Sequence, residues 1–290
     1  TKVCNYADDT TFFACDFNLD SLMNRLEHDS MLAIEWFDNN YMKLNQDKCH
    51  LLISGYKHEA IWAKVGEAKI WESKEQKLLG KTIDNKLSFD EHVLTLCKKA
   101  GQKLSALARV SNYMSFDKRR MLFKAFVESQ FAYSPLVWMF HSRKTNSRIN
   151  YIHERALRLV YEDNFSPFEE LLKKDNSFKI HHKNIQLLAI ELFKVKNNIS
   201  NDIMNGIFET RKSSYNLRSQ TDFYTGQVKT NHYGIDSLRY MATKVWDMIP
   251  INIRNQENLE MFKSKIKKWE PEECQCKLCL NYINGLGYYM

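Results

Sequence analysis

Glycine and proline are scarce in this chain, which has nine glycines and four prolines among 290 residues. Sandwiches, repeat arrays and flexible linkers need these residues at many turns, so their scarcity argues against all three and favours long helices with short connections. A hydrophobic content of 44% and an aromatic content of 13% are enough to bury a core in one large domain or in two or three small ones. We therefore expect an ordered, helix-rich protein.

Charge and cysteine content narrow the class of protein further. Lysine and arginine outnumber aspartate and glutamate by 42 to 35, and this moderate excess favours a polyanionic partner. The seven cysteines are an odd number at irregular spacings, and no hydrophobic stretch near the start resembles a signal peptide, so we expect a reducing intracellular compartment. No apolar run approaches the length of a membrane span, so we expect no membrane partner.

The first ninety residues combine strand and helix patterns. The β-prone runs 3–6 and 10–14 flank Ala7-Asp8-Asp9, which predicts a hairpin with both aspartates at its tip. A helix should come next, with Asp20 as its N-cap, and further strands are predicted over 51–53, 60–65 and 78–83. Residue 1 is Thr rather than Met and lies in a strand-like run, so we expect a fragment that begins within a domain.

From Asp90 onward the pattern becomes helical. Apolar residues recur at helical spacing from Val93 to Ala108, and further helices are predicted over 117–128, 150–161, 183–197, 237–246 and 259–269. The polar stretch 211–233 is the best candidate for a linker or mobile loop. The predicted class is α+β, with domains over 1–90, 91–165 and 166–290.

Tyr6-Ala7-Asp8-Asp9 carries the clearest chemistry. Adjacent carboxylates at a turn can hold Mg²⁺ against a triphosphate and a primer 3′ oxygen, as a two-metal nucleotidyl transferase requires, although such a site also needs a third carboxylate from another strand. The alternative is an ordinary surface turn with two aspartates, because a four-residue string also arises by chance.

The order of the next segments makes the pattern specific. After the hairpin and helix come Leu44-Asn45-Gln46-Asp47-Lys48 and then Leu79-Gly80-Lys81-Thr82-Ile83-Asp84. This order resembles the last palm motifs of jockey-like LINE (non-LTR retrotransposon) reverse transcriptases, and later runs also resemble the region after the palm in that family: 97–100, 153–158, 215–219 and 244–247. The resemblance, which covers nearly the whole chain, implies a partial palm with a catalytic and a primer-grip-like hairpin, then a helical thumb and a helical C-terminal region with a cysteine-containing tail.

The resemblance also implies an activity and its participants. The complete enzyme would be an RNA-directed DNA polymerase that uses Mg²⁺, an RNA template, a DNA primer and deoxynucleoside triphosphates, in the nucleus and cytoplasm. Because the third carboxylate, the fingers and the template grip would precede residue 1, we expect this chain to be inactive alone. A second hypothesis from another class is a non-catalytic nucleic-acid-binding remnant or a domesticated interaction module.

Individual residues take roles from the same resemblance. Asp8 and Asp9 match the metal-binding pair, and Tyr6 would pack near the primer end. Lys48 matches a catalytic lysine, which can neutralise or protonate the leaving pyrophosphate, although a solvated lysine is the alternative. Leu79 and Gly80 resemble the primer grip, and the alternative is an ordinary β-turn.

Basic residues of the helical region are the candidate phosphate contacts of a thumb, which holds a duplex through its backbone. The alternative for each is a solvated charged face. The candidates are Lys98, Lys99, Lys103, Arg109, Lys118, Arg119 and Arg120. Helical spacing also predicts that His153, Arg155 and Arg158 are exposed, which makes them second-rank candidates.

Three cysteines near the end of the chain, Cys274, Cys276 and Cys279, fall within six positions. Zinc usually takes four Cys or His ligands, and the distant options considered for a fourth are Cys97 and His232. Free thiols are the alternative. His181-His182 is a poor metal pair, since the side chains of adjacent residues point apart.

Overall fold

The computed structural model describes residues 1–55, 60–211, 222–271, 274 and 276–279. The chain divides into two compact units, Thr1–Phe89 and Asp90–Met290. The first unit combines short antiparallel strands with one long helix, and helices dominate the described part of the second. The α+β class expected from the sequence is confirmed, and the division falls where the sequence pattern becomes helical.

Among its described residues, the first unit has three separate antiparallel hairpins and one long helix. Strands pair as β1 with β2, β3 with β4 and β5 with β6. The elements are β1 (Lys2–Tyr6), β2 (Asp9–Phe13), α1 (Leu19–Asn39), a 3-10 turn (Gln46–Lys48), β3 (Trp62–Val65), β4 (Ala68–Trp71), β5 (Glu75–Leu78) and β6 (Lys81–Asp84).

Three local predictions in this unit need correction. The N-cap of α1 is Asn18, whose side chain accepts a hydrogen bond from the Ser21 amide at 3.0 Å, and Asp20 lies in the first turn instead. Residues 51–53 form no strand, because only a single bridge joins Leu51 to Glu72. Residues 78–83 are two strands rather than one, because Leu79 and Gly80 have φ values of 46° and 77° and reverse the chain.

The first unit buries a small core. Its buried apolar residues are Met23, Leu51, Ile53 and Ala63. Neither β1 nor β2 has a buried residue, and Met23 is the buried residue of α1. Large apolar side chains are correspondingly exposed on the first hairpin and on α1, namely Val3, Phe13, Met31, Leu32 and Trp36.

Helices make up most of the described part of the second unit. Its helices are α2 (Asp90–Val110), α3 (Phe116–Leu122), α4 (Pro135–Trp138), α5 (Arg143–Tyr161), α6 (Phe168–Asp175), α7 (Ile180–Lys196), α8 (Asp202–Ile207), α9 (Leu238–Met248), α10 (Ile251–Arg254) and α11 (Leu259–Ile266). Asp90 ties two of them together, since its Oδ1 accepts from the Ser142 amide at 3.0 Å and from Thr145 Oγ1 at 2.9 Å, so α2 and α5 start side by side. No described helix combines the length and apolar content that crossing a membrane requires.

The core of the second unit is built around α7, α9 and α11. The ring of Phe193 stacks on Phe262 with centroids 4.3 Å apart, and Trp246 is fully buried beside them. Phe223 packs edge-on against Trp246 and belongs to the core, so the predicted linker or mobile loop 211–233 is wrong at Phe223. The run 215–219, which resembles the family, lies outside the described residues.

Candidate functional site

The first hairpin presents two carboxylates at its turn. Tyr6 pairs with Asp9, so Ala7 and Asp8 form a two-residue loop, and both aspartates are exposed. Ala7 has a φ of 52°, a left-handed conformation that a residue with a Cβ rarely adopts. The predicted hairpin is confirmed, with Asp8 in the loop and Asp9 as the first residue of β2.

Asp8 and Asp9 offer the hard oxygen donors that Mg²⁺ prefers. Two carboxylates are only part of the ligand set that a two-metal site uses, because both ions must also be fixed by ligands from elsewhere. Within the described residues, the group of three or more possible metal ligands lies in the second unit and does not include this pair. The hairpin therefore fits Mg²⁺ as a partial site.

The other palm candidates also lie on turns of the first unit. Lys48 is exposed at the end of a 3-10 turn whose start is capped by Asn45, since the side-chain oxygen of Asn45 accepts from the Asp47 amide at 3.1 Å. Leu79 and Gly80 form the two-residue loop between β5 and β6, and Leu79 is exposed. The structure shows the turn at Leu79 and Gly80. The catalytic role of Lys48 and the primer-binding role of Leu79 and Gly80 remain predictions.

Sequence reasoning missed Lys81, the first residue of β6. Its side chain is buried beside the Leu79-Gly80 turn, and this burial lowers the pKa of the Lys81 amine to about 8. A lysine in a strand otherwise indicates a solvated position, so composition alone gives no sign of this burial. The signal that was available is the placement of Lys81 immediately after a glycine turn.

The exposed face of α2 is basic. Lys98 and Lys99 are exposed and Lys103 is half-buried. An open cleft of about 500 Å³ lies one turn further along the same helix, between α2 and α5. Its lining is Gly101, Gln102, Ser105, Ala106, Arg109 and Arg155. Small side chains beside two guanidinium groups allow a phosphate backbone to approach the helix closely.

Arg119 and Arg120, two further candidates, take part in internal ion pairs. Arg119 is buried and donates to Glu162, just after α5. Arg120 Nε lies 2.6 Å from Oδ1 of the buried Asp175, and this pairing lowers the pKa of the carboxyl against the opposing effect of burial. A phosphate would have to compete with these carboxylates, so the role of both arginines in nucleic-acid binding stays a prediction.

The prediction that His153 is exposed is wrong. Its ring stacks on Phe123 with centroids 5.8 Å apart and meets the edge of Phe168, and its side chain is 2% exposed. The buried face of α5 is wider than a narrow apolar stripe, because it includes His153 and Leu157 as well as Ile149, Ile152 and Ala156. Burial lowers the pKa of His153 to about 3. Arg155 is exposed, and Arg158 is half-buried and pairs with Glu154.

The three cysteines of the tail meet a histidine of α7. The ligand atoms of His181, Cys274, Cys276 and Cys279 all lie within 4.8 Å of one another, and all four side chains are buried. Neither Cys97 nor His232, the distant residues considered from the sequence, belongs to this group. His182 points elsewhere, with its Nδ1 3.5 Å from Glu270.

Hydrogen bonds among the three thiols shift the pKa values of Cys274 and Cys279 in opposite directions. Bonds from Cys276 and Cys279 lower the pKa of the Cys274 thiol, and the same contacts together with burial raise the pKa of Cys279. All three cysteines are free of disulfides.

Comparison of the chain with models of known protein families, with curated proteins and with solved structures finds no match.

Proposed function

We propose that this chain is the C-terminal part of a non-LTR retrotransposon reverse transcriptase, an RNA-directed DNA polymerase. The observation that carries the proposal is the hairpin in which Tyr6 pairs with Asp9 and Asp8 lies in the loop, with both carboxylates exposed. Adjacent carboxylates on a tight antiparallel turn are the part of a polymerase palm that faces the primer end. The order of Lys48 and the Leu79-Gly80 turn after this hairpin agrees with the proposal.

Asp8 and Asp9 would hold Mg²⁺ together with a carboxylate from outside this chain. When bound, the metal ions supply positive charge at the attacking and leaving oxygens. The exposed ring of Tyr6, which precedes the turn, offers an apolar surface for the primer sugar and base. Lys48 can donate a proton to, or neutralise, the leaving pyrophosphate.

Two surface features support the same proposal. The uncovered apolar side chains of β1, β2 and α1 would be buried by further palm strands, because a two-stranded hairpin alone is marginally stable. In the second unit, the lysines of α2 and the cleft between Arg109 and Arg155 provide a thumb-like surface for the backbone of an RNA–DNA duplex.

Primer extension on an RNA template tests the proposal, with this chain joined to the upstream region of its gene. Asp8→Asn should reduce deoxynucleotide incorporation by a factor of about 100 to 1,000, since removing one group that stabilises charge in the transition state costs about that much. Asp38→Asn, the same change at an exposed aspartate of α1, is the matched control and should leave the rate unchanged. An Asp8→Asn enzyme with full activity would contradict the proposal.

A second candidate, a non-catalytic nucleic-acid-binding module, rests on the basic cleft of the second unit alone. It predicts that the chain binds a duplex both alone and when joined to its upstream region, and that neither protein incorporates deoxynucleotides. The same assay therefore separates the two functions.

A further inference from the structure

Four buried side chains from two distant parts of the chain converge on one point. His181 lies in the first turn of α7, and Cys274, Cys276 and Cys279 lie in the tail after α11. Their exposed fractions are 4%, 0%, 2% and 8%, respectively. The ligand atoms are within 4.8 Å of one another, and His181 Nε2 is 3.1 Å from Cys276 Sγ.

These distances suit a tetrahedral metal ion. Zinc lies about 2.3 Å from thiolate sulfur and about 2.0–2.1 Å from imidazole nitrogen, so the ligand atoms of a tetrahedral site are about 3.5–3.8 Å apart. His181 Nε2 and Cys276 Sγ, at 3.1 Å, are slightly closer than this, and all four ligand atoms lie within 4.8 Å of one another, so small side-chain movements bring them into a tetrahedron.

From this geometry we propose that His181, Cys274, Cys276 and Cys279 form a structural Zn²⁺ site that fastens the tail to α7. Three sulfurs and one imidazole are a soft donor set that favours zinc, whereas Mg²⁺ takes oxygen ligands. Four protein ligands complete a tetrahedron and leave no open position, which is the arrangement of structural rather than catalytic zinc. The proposal is independent of the polymerase function, because it rests on residues of the second unit alone.

Packing of buried apolar thiols is the competing account, and the histidine argues against it. Free cysteines often behave as small hydrophobic residues, so three of them in a core need no metal. An imidazole aimed into the thiols is different, because burial of its polar ring requires partners. Nδ1 of His181 is buried and has no hydrogen-bond partner among the described residues. The polar contact of the buried ring is therefore the one that Nε2 makes with the sulfur of Cys276.

The surroundings hold the tail turn in position. Arg143 Nε donates to the carbonyl of Lys277, and Lys277 Nζ lies 3.3 Å from Asp236. Leu278, inside the turn, is buried in the main core, and the Cys279 amide donates to the Cys276 carbonyl at 3.0 Å. Zinc with three thiolates has a net charge of about −1, and the guanidinium group of Arg143 binds the backbone of the same turn.

Metal analysis of the 290-residue protein, purified reduced and without chelator, tests the site. We expect about one zinc per chain in the wild type, and less than about 0.2 in Cys276→Ser and in His181→Asn, because each variant removes one of four ligands. Cys15→Ser and His232→Asn change an exposed thiol and an exposed imidazole outside the cluster, and both should retain the metal. Freshly reduced wild-type protein without bound zinc would overturn the proposal.

X-ray absorption on the wild type keeps the test decisive even where a variant fails to fold. The proposal predicts three sulfur ligands at about 2.3 Å and one nitrogen at about 2.0–2.1 Å. Replacement of zinc by Co²⁺ should give the visible absorption of tetrahedral cobalt together with thiolate-to-metal charge transfer. A metal shell made of oxygen and nitrogen, or one of four sulfurs, would contradict the assignment of these residues.

Discussion

His181 Nε2 lies 3.1 Å from the sulfur of Cys276, although 95 positions separate the two residues in the chain. The contact joins the first turn of α7 to the tail beyond α11, and Arg143 and Asp236 hold the Lys277 between Cys276 and Leu278. The tail is thus fixed to three separate parts of the second unit. Any change that weakens the contacts of His181 with the three cysteines should therefore release the tail.

Release of the tail can be monitored by limited proteolysis. Trypsin cleaves after lysine, and Lys277 is held in the turn by its contact with Asp236. Adding a strong chelator, or changing His181 to Asn, should speed cleavage after Lys277, because opening of the turn exposes its backbone. Cleavage after Lys268, which is exposed at the end of α11, serves as the internal reference and should change little. Equal rates with and without chelator would show that no metal holds the turn.

The stability of the second unit should fall in acid through His153. Its folded-state pKa of about 3 lies below the ordinary value of 6.5, so between these pH values the unfolded state binds a proton that the folded state does not. Stability is fully present above pH 6.5 and is lost as the pH falls toward 3, by about 1.4 kcal/mol per pH unit from this group. Lys183 strengthens the pKa depression, and Asp175 opposes it.

Chemical denaturation between about pH 7 and about pH 4 measures this contribution. His153→Leu should make the free energy of unfolding less dependent on pH, because the leucine retains the contacts with Phe123 and Phe168 without a titrating group. The control is His232→Leu, at an exposed histidine of the same unit. If both variants keep the wild-type pH dependence, His153 does not cause the acid sensitivity.

A substitution in the turn between β5 and β6 should increase the stability of the first unit. Leu79 adopts a φ of 46°, and a left-handed conformation at a leucine costs about 1–2 kcal/mol. Asn followed by Gly is the preferred pair where both turn residues have positive φ, so Leu79→Asn should raise the free energy of unfolding of the first unit by about 1 kcal/mol. Leu79→Ala is the control and should give no gain in urea unfolding monitored by tryptophan fluorescence, because alanine lacks the side-chain amide with which asparagine bonds the local backbone in this conformation.

Primer extension gives a second measurement of the role of Leu79. A grip role for Leu79 predicts that the Leu79→Asn protein, although more stable, extends a primer more slowly when joined to its upstream region. Unchanged extension would leave the turn as an ordinary connection between two strands.

Local signals predicted the parts of the fold that local chemistry determines. Alternating β-prone residues around Ala7-Asp8 predicted the first hairpin, and apolar spacing from Val93 predicted α2, because hydrogen bonds and side-chain contacts in both elements join near neighbours. The start of α1 was misplaced by two residues because Asn18 and Asp20 are both good caps.

The remaining features depend on tertiary packing, which sequence spacing does not reveal. His153 is buried because α5 is covered on several sides, by Phe123 from one direction and Phe168 from another. The fourth partner of the tail cysteines is His181 rather than Cys97 or His232, because α7 brings its first turn to the tail. The internal pairs of Arg119 and Arg120 result from the same packing.

The basic face of α2 should govern duplex binding. Lys98→Ala with Lys99→Ala should weaken binding of an RNA–DNA duplex and reduce the slope of log affinity against log salt by about 2, one for each lost phosphate contact. Lys267→Ala with Lys268→Ala removes the same charge at the end of α11 and is the matched control. Fluorescence anisotropy titrations at several salt concentrations give both quantities. Equal effects of the two double variants would indicate attraction by net charge alone.

The central claim is that Asp8 and Asp9 supply part of a polymerase active site that this chain does not complete by itself. The most direct measurement is deoxynucleotide incorporation on a primed RNA template, with residues 1–290 alone and with the chain joined to its upstream region. We predict that residues 1–290 bind the duplex but incorporate nothing, because the two carboxylates fix metal ions only together with a further ligand. The joined protein should incorporate nucleotides. Incorporation by residues 1–290 alone, or failure of the joined protein, would contradict this account.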